Sequence, residues 1–187
     1  MKSNPHYGYA EFCTLDNDAL ARIFLQGSRP DSKDLVGYEF DGFNTFDLTP
    51  ILGIRRFQKG FFEDPKVGAD EIGGYNVSIT PGGVSDPWVQ VIKGGKVHRH
   101  SFFRVYPVRN DEVDDLYPNA VLINYDTPRN PTWNPGPLRD YLVKIYPDNP
   151  DLYLGKAYAA LGPKWRLFVS YFLLKRGLKV EDYSFTE

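Results

Sequence analysis

The chain has 187 residues and carries 22 Lys and Arg against 24 Asp and Glu, a formal net charge of -2. That length suits one domain whose core needs neither disulfides nor metals. The balanced charge excludes the basic footprint of a nucleic-acid binder or of a polybasic membrane-surface protein, and the single cysteine, Cys13, excludes an intrachain disulfide or a CxxC zinc site.

Aromatic residues make up 16% of the chain, with 13 Tyr and 13 Phe, and 17 Gly and 15 Pro punctuate it. Aromatic side chains suit a pleated, half-buried surface, so the composition points to a mostly β protein. The opening stretch "MKSNPHYGYAEFCT" has no apolar h-region, and no run approaches the ~18 apolar residues of a membrane helix. A cytoplasmic location is therefore expected, with no membrane partner and no glycan on the "NVS" of Asn76 to Ser78.

The first element is a helix in "TLDNDALARIFLQGS", about residues 14–27. Acidic Asp16 and Asp18 open it, Leu20, Ile23 and Phe24 form one apolar face, and Gly27 is placed to stop it in a left-handed cap. "SRPDSKDLVG" reads as a loop. Leu35 to Asn44 reads as the first strand, "TPILGIRRF" as a short helical turn and "RRFQKGFFE" as a second strand.

Tyr75, Val77 and Ile79 then alternate with Asn76, Ser78 and Thr80 in "GGYNVSIT", the period of a half-buried strand. "WVQVIK" and "KVHRHSFFRVYPV" flank a Gly-Gly pair that suits a two-residue hairpin. "NAVLINYD", "LRDYLVKIY", "LYLGKAYAAL" and "WRLFVSYFLLKR" follow, the last apolar on both faces. Many short strands, few helices and no βαβ rhythm predict a mainly β fold. The expected architecture is an antiparallel β-barrel over about residues 35–176, covered by the N-terminal helix, with 1–187 as a single domain.

The succession "LVGYEFDGF", "RRFQKGFF", "NAVLINYDTPRNP", "LRDYLVKIYPDNPDLYLGKAY" and "VSYFLLKR" resembles the GXWXG-type, lipocalin-like domains of unknown function. Within that signature Tyr38 stands where the first glycine belongs, Phe40 replaces the tryptophan and Gly42 is retained; Lys59, Tyr125-Asp126 and Leu154-Gly155 lie at the family's later landmarks. The resemblance implies a small lipocalin-like (calycin-like) barrel. It implies no particular chemistry.

The stretch "NYDTPRNPTWNPGPLRDYLVKI" holds the densest set of polar candidates. If Asp140 and Lys144 face solvent, then Arg139, Tyr141, Val143 and Ile145 face inward, and Asp126 is the expected carboxylate partner of Arg139. Either the pair fastens two strands, with Tyr125 and Trp133 packing the loop, or Arg139 reaches a ligand. His98 and His100, two residues apart on one strand, are too few for a metal site and are expected to face solvent. "NDEVDD" reads as a solvated loop and Cys13 as an inert thiol, and neither a metal nor another cofactor is expected.

The expected function is to hold a small, mostly apolar or aromatic ligand inside the barrel, with Lys59, Tyr125, Asp126, Arg139, Tyr141 and Tyr171 as ligand-binding residues. The alternative is a cofactor-free isomerase, cyclase or decarboxylase acting on a phenolic or polyketide-like substrate. There a tyrosine would donate a proton, Arg139 would hold an enolate or carboxylate, and Asp126 would orient them.

Overall fold

The computed structural model describes residues 8–45, 55–110, 113–130 and 136–181. Among them are helices α1 (Tyr9–Phe12), α2 (Asn17–Gln26) and α3 (Ser32–Leu35). The first strands are β1 (Tyr38–Asn44), β2 (Arg56–Phe62), β3 (Ile72–Ser78), β4 (Ile92–Lys93) and β5 (Lys96–Val97). The remaining strands are β6 (Arg99–Pro107), β7 (Val121–Asn124), β8 (Leu138–Lys144), β9 (Leu152–Leu161) and β10 (Trp165–Lys179).

Eight strands close into one barrel in the order β1-β10-β9-β8-β7-β6-β3-β2, every neighbouring pair antiparallel. This is the antiparallel barrel that the strand pattern predicts, with α2 where the periodicity near the N-terminus places a helix. The β4–β5 hairpin stands apart as a two-stranded ribbon. Its turn is the Gly94-Gly95 pair, both at positive φ (58° and 76°), as a two-residue hairpin requires.

Alternation divides each barrel strand into an inner and an outer face, and here both faces are largely buried. Phe40, Phe61, Phe103, Val105, Val121, Ile123, Leu142, Tyr153, Phe172 and Leu174 fill the inner core. The outer face of β7 to β10 packs through Leu122, Tyr141, Val143, Leu154, Tyr171 and Leu173 against Phe12 of α1 and Leu20 and Phe24 of α2. Helix α2 begins where the acidic cap predicts, with the Asp16 carboxylate accepting from the Ala19 N–H at 2.7 Å.

Three local expectations change. Gly27 ends α2 in an extended conformation (φ -65°, ψ 158°) rather than in a left-handed cap. A Cβ there would run into Val143, and the chain goes straight on into a bridge between Ser28 and Lys144 of β8. "SRPDSKDLVG" is not all loop, because Asp31 caps α3 by accepting from the Lys33 N–H at 3.1 Å. Leu35, at the end of α3, is fully buried in the inner core, and β1 starts only at Tyr38. The helical turn expected in "TPILGIRRF" falls largely outside the described residues, as does Trp133.

One end of the barrel is thus plugged by α3 and by Arg176, whose guanidinium lies 4.0 Å from the Tyr38 ring centroid. On the outer face of β1 to β3, Glu39 is buried, accepting from the Tyr75 hydroxyl at 3.0 Å and from Gln90 at 2.5 Å, with Arg99 paired to it at 3.2 Å. The long β3–β6 connection therefore shields that side, and among the described residues the interior is reached from the far end of the barrel.

Candidate functional site

Near that far end lies a cavity of about 370 Å³. Its walls are mainly Phe57, Leu138, Ala157, Val169 and Phe172, with Asn44, Ser78, His100 and Ser170 among the polar lining groups. Gly155 and Ala157 keep the inner face of β9 low: the Phe172 ring lies directly over Gly155, where a Cβ would collide with it. Small residues on one strand thus leave space that the aromatic composition would otherwise fill.

Lys59 and Asp140 lie at the inner end of this cavity, with Nζ 3.2 Å from Oδ2 and both side chains almost wholly buried. The pairing of Phe40 with Lys59 on one side and of Ile123 with Asp140 on the other sets both residues on the inner face. The Lys59 ammonium also donates to Asn76 Oδ1 at 3.1 Å and to the Tyr125 hydroxyl. That hydroxyl in turn donates to Asp140 Oδ2 at 3.2 Å. Rings of Tyr125, Phe103, Phe57 and Phe172 surround the amine, with centroids 4.9 to 5.3 Å away.

Burial dominates the protonation of this group. It pushes the Lys59 ammonium below the usual lysine range, against the opposing pull of Asp140. It pushes the Asp140 carboxyl up, against the stabilising Lys59 charge. Tyr125 is driven well above the ordinary tyrosine value by burial first and by Asp140 second. A buried amine and a buried carboxyl, both shifted toward neutrality and both touching one phenol, make a short path for a proton.

A second polar chain borders the cavity. Ser78 Oγ lies 2.8 Å from His98 Nδ1 and 3.2 Å from His100 Nε2, and His100 Nδ1 lies 2.7 Å from Ser101 Oγ. Ser101 takes the left-handed conformation (φ 52°). His100 is accordingly not a solvent-facing imidazole: it lines the cavity, and burial pushes its pKa down to about 4, with His98, Lys59 and Lys93 acting in the same direction.

Of the residues singled out from sequence, the structure brings Lys59 and Tyr125 together inside the barrel. Arg139, Tyr141 and Tyr171 lie on its outer face. Arg139 pairs in register with Asn124 and Tyr158, while its neighbour Asp140, expected outside, takes the inner position. Tyr141 and Tyr171 belong to the core beneath α2. Arg139 is 3.1 Å from Asp114 but 3.7 Å from Asp126, whose side chain is 69% exposed, so Asp126 is not its nearest carboxylate. Asp126 borders a separate cavity of about 520 Å³, with Phe62, Phe102 and Arg129.

Asp140 was missed because Tyr141, Val143 and, just beyond β8, Ile145 form the more apolar face, and apolarity alone does not separate an inner face from a helix-covered outer one. The small-residue face Gly155-Ala157-Ala159 was the available signal. Those three residues pair with Leu142, Asp140 and Leu138, and the space they leave lies on their side. Cys13 is buried at the end of α1, and burial pushes its thiol up to about 12, which leaves it inert.

No family model matches the chain, and no curated protein matches it either. Among solved structures, it is similar to an odorant binding protein, OBP1, at 9% identity and a TM-score of 0.37, over 83% of this chain and 79% of that one. Among the described residues, no helix is long and apolar enough to cross a membrane.

Proposed function

We propose that this protein binds a small, mostly apolar or aromatic molecule inside its barrel, with the ligand's polar end against Lys59, Tyr125 and Asp140. The observation that carries this reading is the apolar-walled cavity of about 370 Å³ with a buried amine and carboxyl at its inner end. Ligand pockets combine these features: apolar walls for affinity and a few convergent polar groups for orientation. The resemblance to GXWXG-type domains, carried by "YEFDG" of β1 and by "NYD" at and just beyond the end of β7, forms part of the proposal as regards the barrel alone.

The cavity also selects on charge. Lys59 and Asp140 neutralise one another, and His100 is uncharged near neutral pH. At the inner end a ligand headgroup meets a pair of no net charge, while the Arg56 guanidinium in the lining is held by the carbonyls of Thr80, Asp86 and Pro87, an arrangement that favours carbonyls, hydroxyls and phenols over carboxylates there. Titration with the neutral fluorophore N-phenylnaphthylamine tests the reading. Saturable binding in the wild type, lost in Ala157→Trp, where the new indole fills the cavity, is the expected result. Equal binding by both proteins would place the ligand elsewhere.

The second reading, a cofactor-free isomerase, cyclase or decarboxylase for a phenolic or polyketide-like substrate, draws on the Tyr125 hydroxyl, which touches both Lys59 and Asp140. In it Lys59 takes the anion-holding part assigned from sequence to Arg139, because Arg139 is outside the barrel. Chemical change of a ligand co-purified from the native host, abolished in Tyr125→Phe, would favour this reading over simple carriage.

A further inference from the structure

We propose that Lys59 anchors an aldehyde covalently, its amine condensing with the carbonyl of an apolar ligand to give an iminium ion paired with Asp140. This rests on the cavity being the binding site, and it names the ligand's reactive group.

The geometry supplies what the condensation needs. Lys59 lines the cavity, and its amine stands at the inner end of the apolar walls. A ligand that enters the cavity with its polar head leading meets that amine. Asp140, 3.2 Å from Nζ, accepts the proton that the ammonium must release before nitrogen can attack. The Tyr125 hydroxyl touches both groups and so can pass protons to the carbonyl oxygen.

The step balances. The free amine forms a C–N bond to the carbonyl carbon, and the carbonyl oxygen takes a proton to give a carbinolamine. That hydroxyl leaves with a second proton as water, and the C=N bond forms. Overall an ammonium and an aldehyde become an iminium and one water, so the nitrogen carries one positive charge before and after. Asp140 therefore faces the same charge in the first and last states, and while it holds the proton both partners are neutral, so the buried pair is never left unbalanced. The aromatic rings around Nζ favour the cation in both states. Limited water at a wall of Phe57, Phe172 and Leu138 slows hydrolysis of the product.

Lowered basicity fits the same chemistry, because burial of Lys59 raises the fraction of free amine available for attack. An exposed lysine stays ammonium near neutral pH and competes poorly.

The test uses trans-cinnamaldehyde with sodium cyanoborohydride, which reduces an iminium to a stable amine, on the full chain. Peptide mass mapping then locates the cinnamyl group. Calorimetric titration with trans-cinnamyl alcohol, which cannot condense, measures the cavity alone. The expected result is a cinnamyl adduct on Lys59 ahead of every exposed lysine, with the alcohol bound at the same site. In Lys59→Met/Asp140→Asn, which removes both charges together, the preferred adduct disappears and only the slow labelling of exposed lysines remains. The wild-type map decides the matter even if that variant does not fold. Alcohol bound with no preference for Lys59 in the map overturns the covalent anchor and leaves the cavity reading intact. Failure of both ligands overturns the two together.

Discussion

Asp114 holds Arg139 from outside the barrel: its Oδ2 lies 3.1 Å from the Arg139 Nε, while its other oxygen takes Nε of Arg166. One nearly buried carboxylate thus joins the β6–β7 connection to β8 and β10, near the end of an acidic run that reads as solvated. The Arg139 guanidinium is completed by the carbonyls of Gly136 and Leu138, both at 2.8 Å. Removing the carboxylate strands two largely buried cations. Asp114→Ala should cost about 3 kcal/mol, near the low end for breaking a buried pair because backbone acceptors remain. Asp126→Ala, at an exposed position, should cost about 0–1 kcal/mol. Urea unfolding of the two variants checks the order, and an equal or reversed cost would return Asp126 to the structural role.

The Lys59–Asp140 pair gives a sharper energetic signature. Lys59→Met and Asp140→Asn should each cost about 3–5 kcal/mol, since each leaves an uncompensated charge in the inner core. The double substitution should cost well below the sum, with a coupling of about 2 kcal/mol. A double-mutant cycle in guanidinium measures it, and additive losses would mean that the two side chains do not act as a pair.

His100 sets an acid limit. The unfolded chain takes up its proton near the ordinary value of 6.5, whereas the folded protein does so only near 4. Between those values the unfolded state binds more protons, so stability falls as pH drops through the window and is regained as it rises. Thermal melting at a series of pH values from 4 to 7 should show this slope. His100→Gln, which keeps a polar contact for Ser78, should flatten it. An unchanged slope would assign the acid sensitivity to other groups.

Tyr141 buries its hydroxyl among the rings of Tyr117 and Tyr158, and that oxygen has no hydrogen-bond partner among the described residues. Deleting an unsatisfied buried hydroxyl while keeping the ring should be neutral or stabilising. We expect Tyr141→Phe to gain up to about 1 kcal/mol. Differential scanning calorimetry resolves a gain of that size, and a loss instead would reveal a bound water or another polar contact at the phenol.

The strand pattern shows why the fold was easier to read than the site. Tyr75-Val77-Ile79 alternates cleanly, the Gly94-Gly95 turn is where it should be, and Asp16 starts its helix. Each of these follows from local spacing. The inner and outer faces of β8 do not, because Tyr141 and Val143 are as buried beneath α2 as Leu142 is inside the barrel. Choosing between them needs the register of β8 against β7 and β9, which no local pattern in β8 contains. Lys59 and Tyr125 were recognisable because they lie at landmarks of the GXWXG-type resemblance. Asp140 was hidden by its own charge, which on an exposed strand would have meant solvent, and Asp114 by the acidity of its neighbours. Asn76 and His100 join the cavity only because β2, β3 and β6 lie side by side.

The seam of the barrel joins β1 to β10, so that Asp41 sits opposite Lys175, 134 positions further along the chain. Such pairing makes closure a late and slow event, since the entropy of bringing distant segments together must be met before their contacts can help. On a translating ribosome, β1 and β2 emerge with the β1 edge uncovered, and it stays so until the last strand has been made. During that interval the edge is open to pairing with other nascent chains. Expression at low temperature, or with chaperones that hold exposed strands, should therefore raise the yield of correctly closed protein more than any repacking of its core.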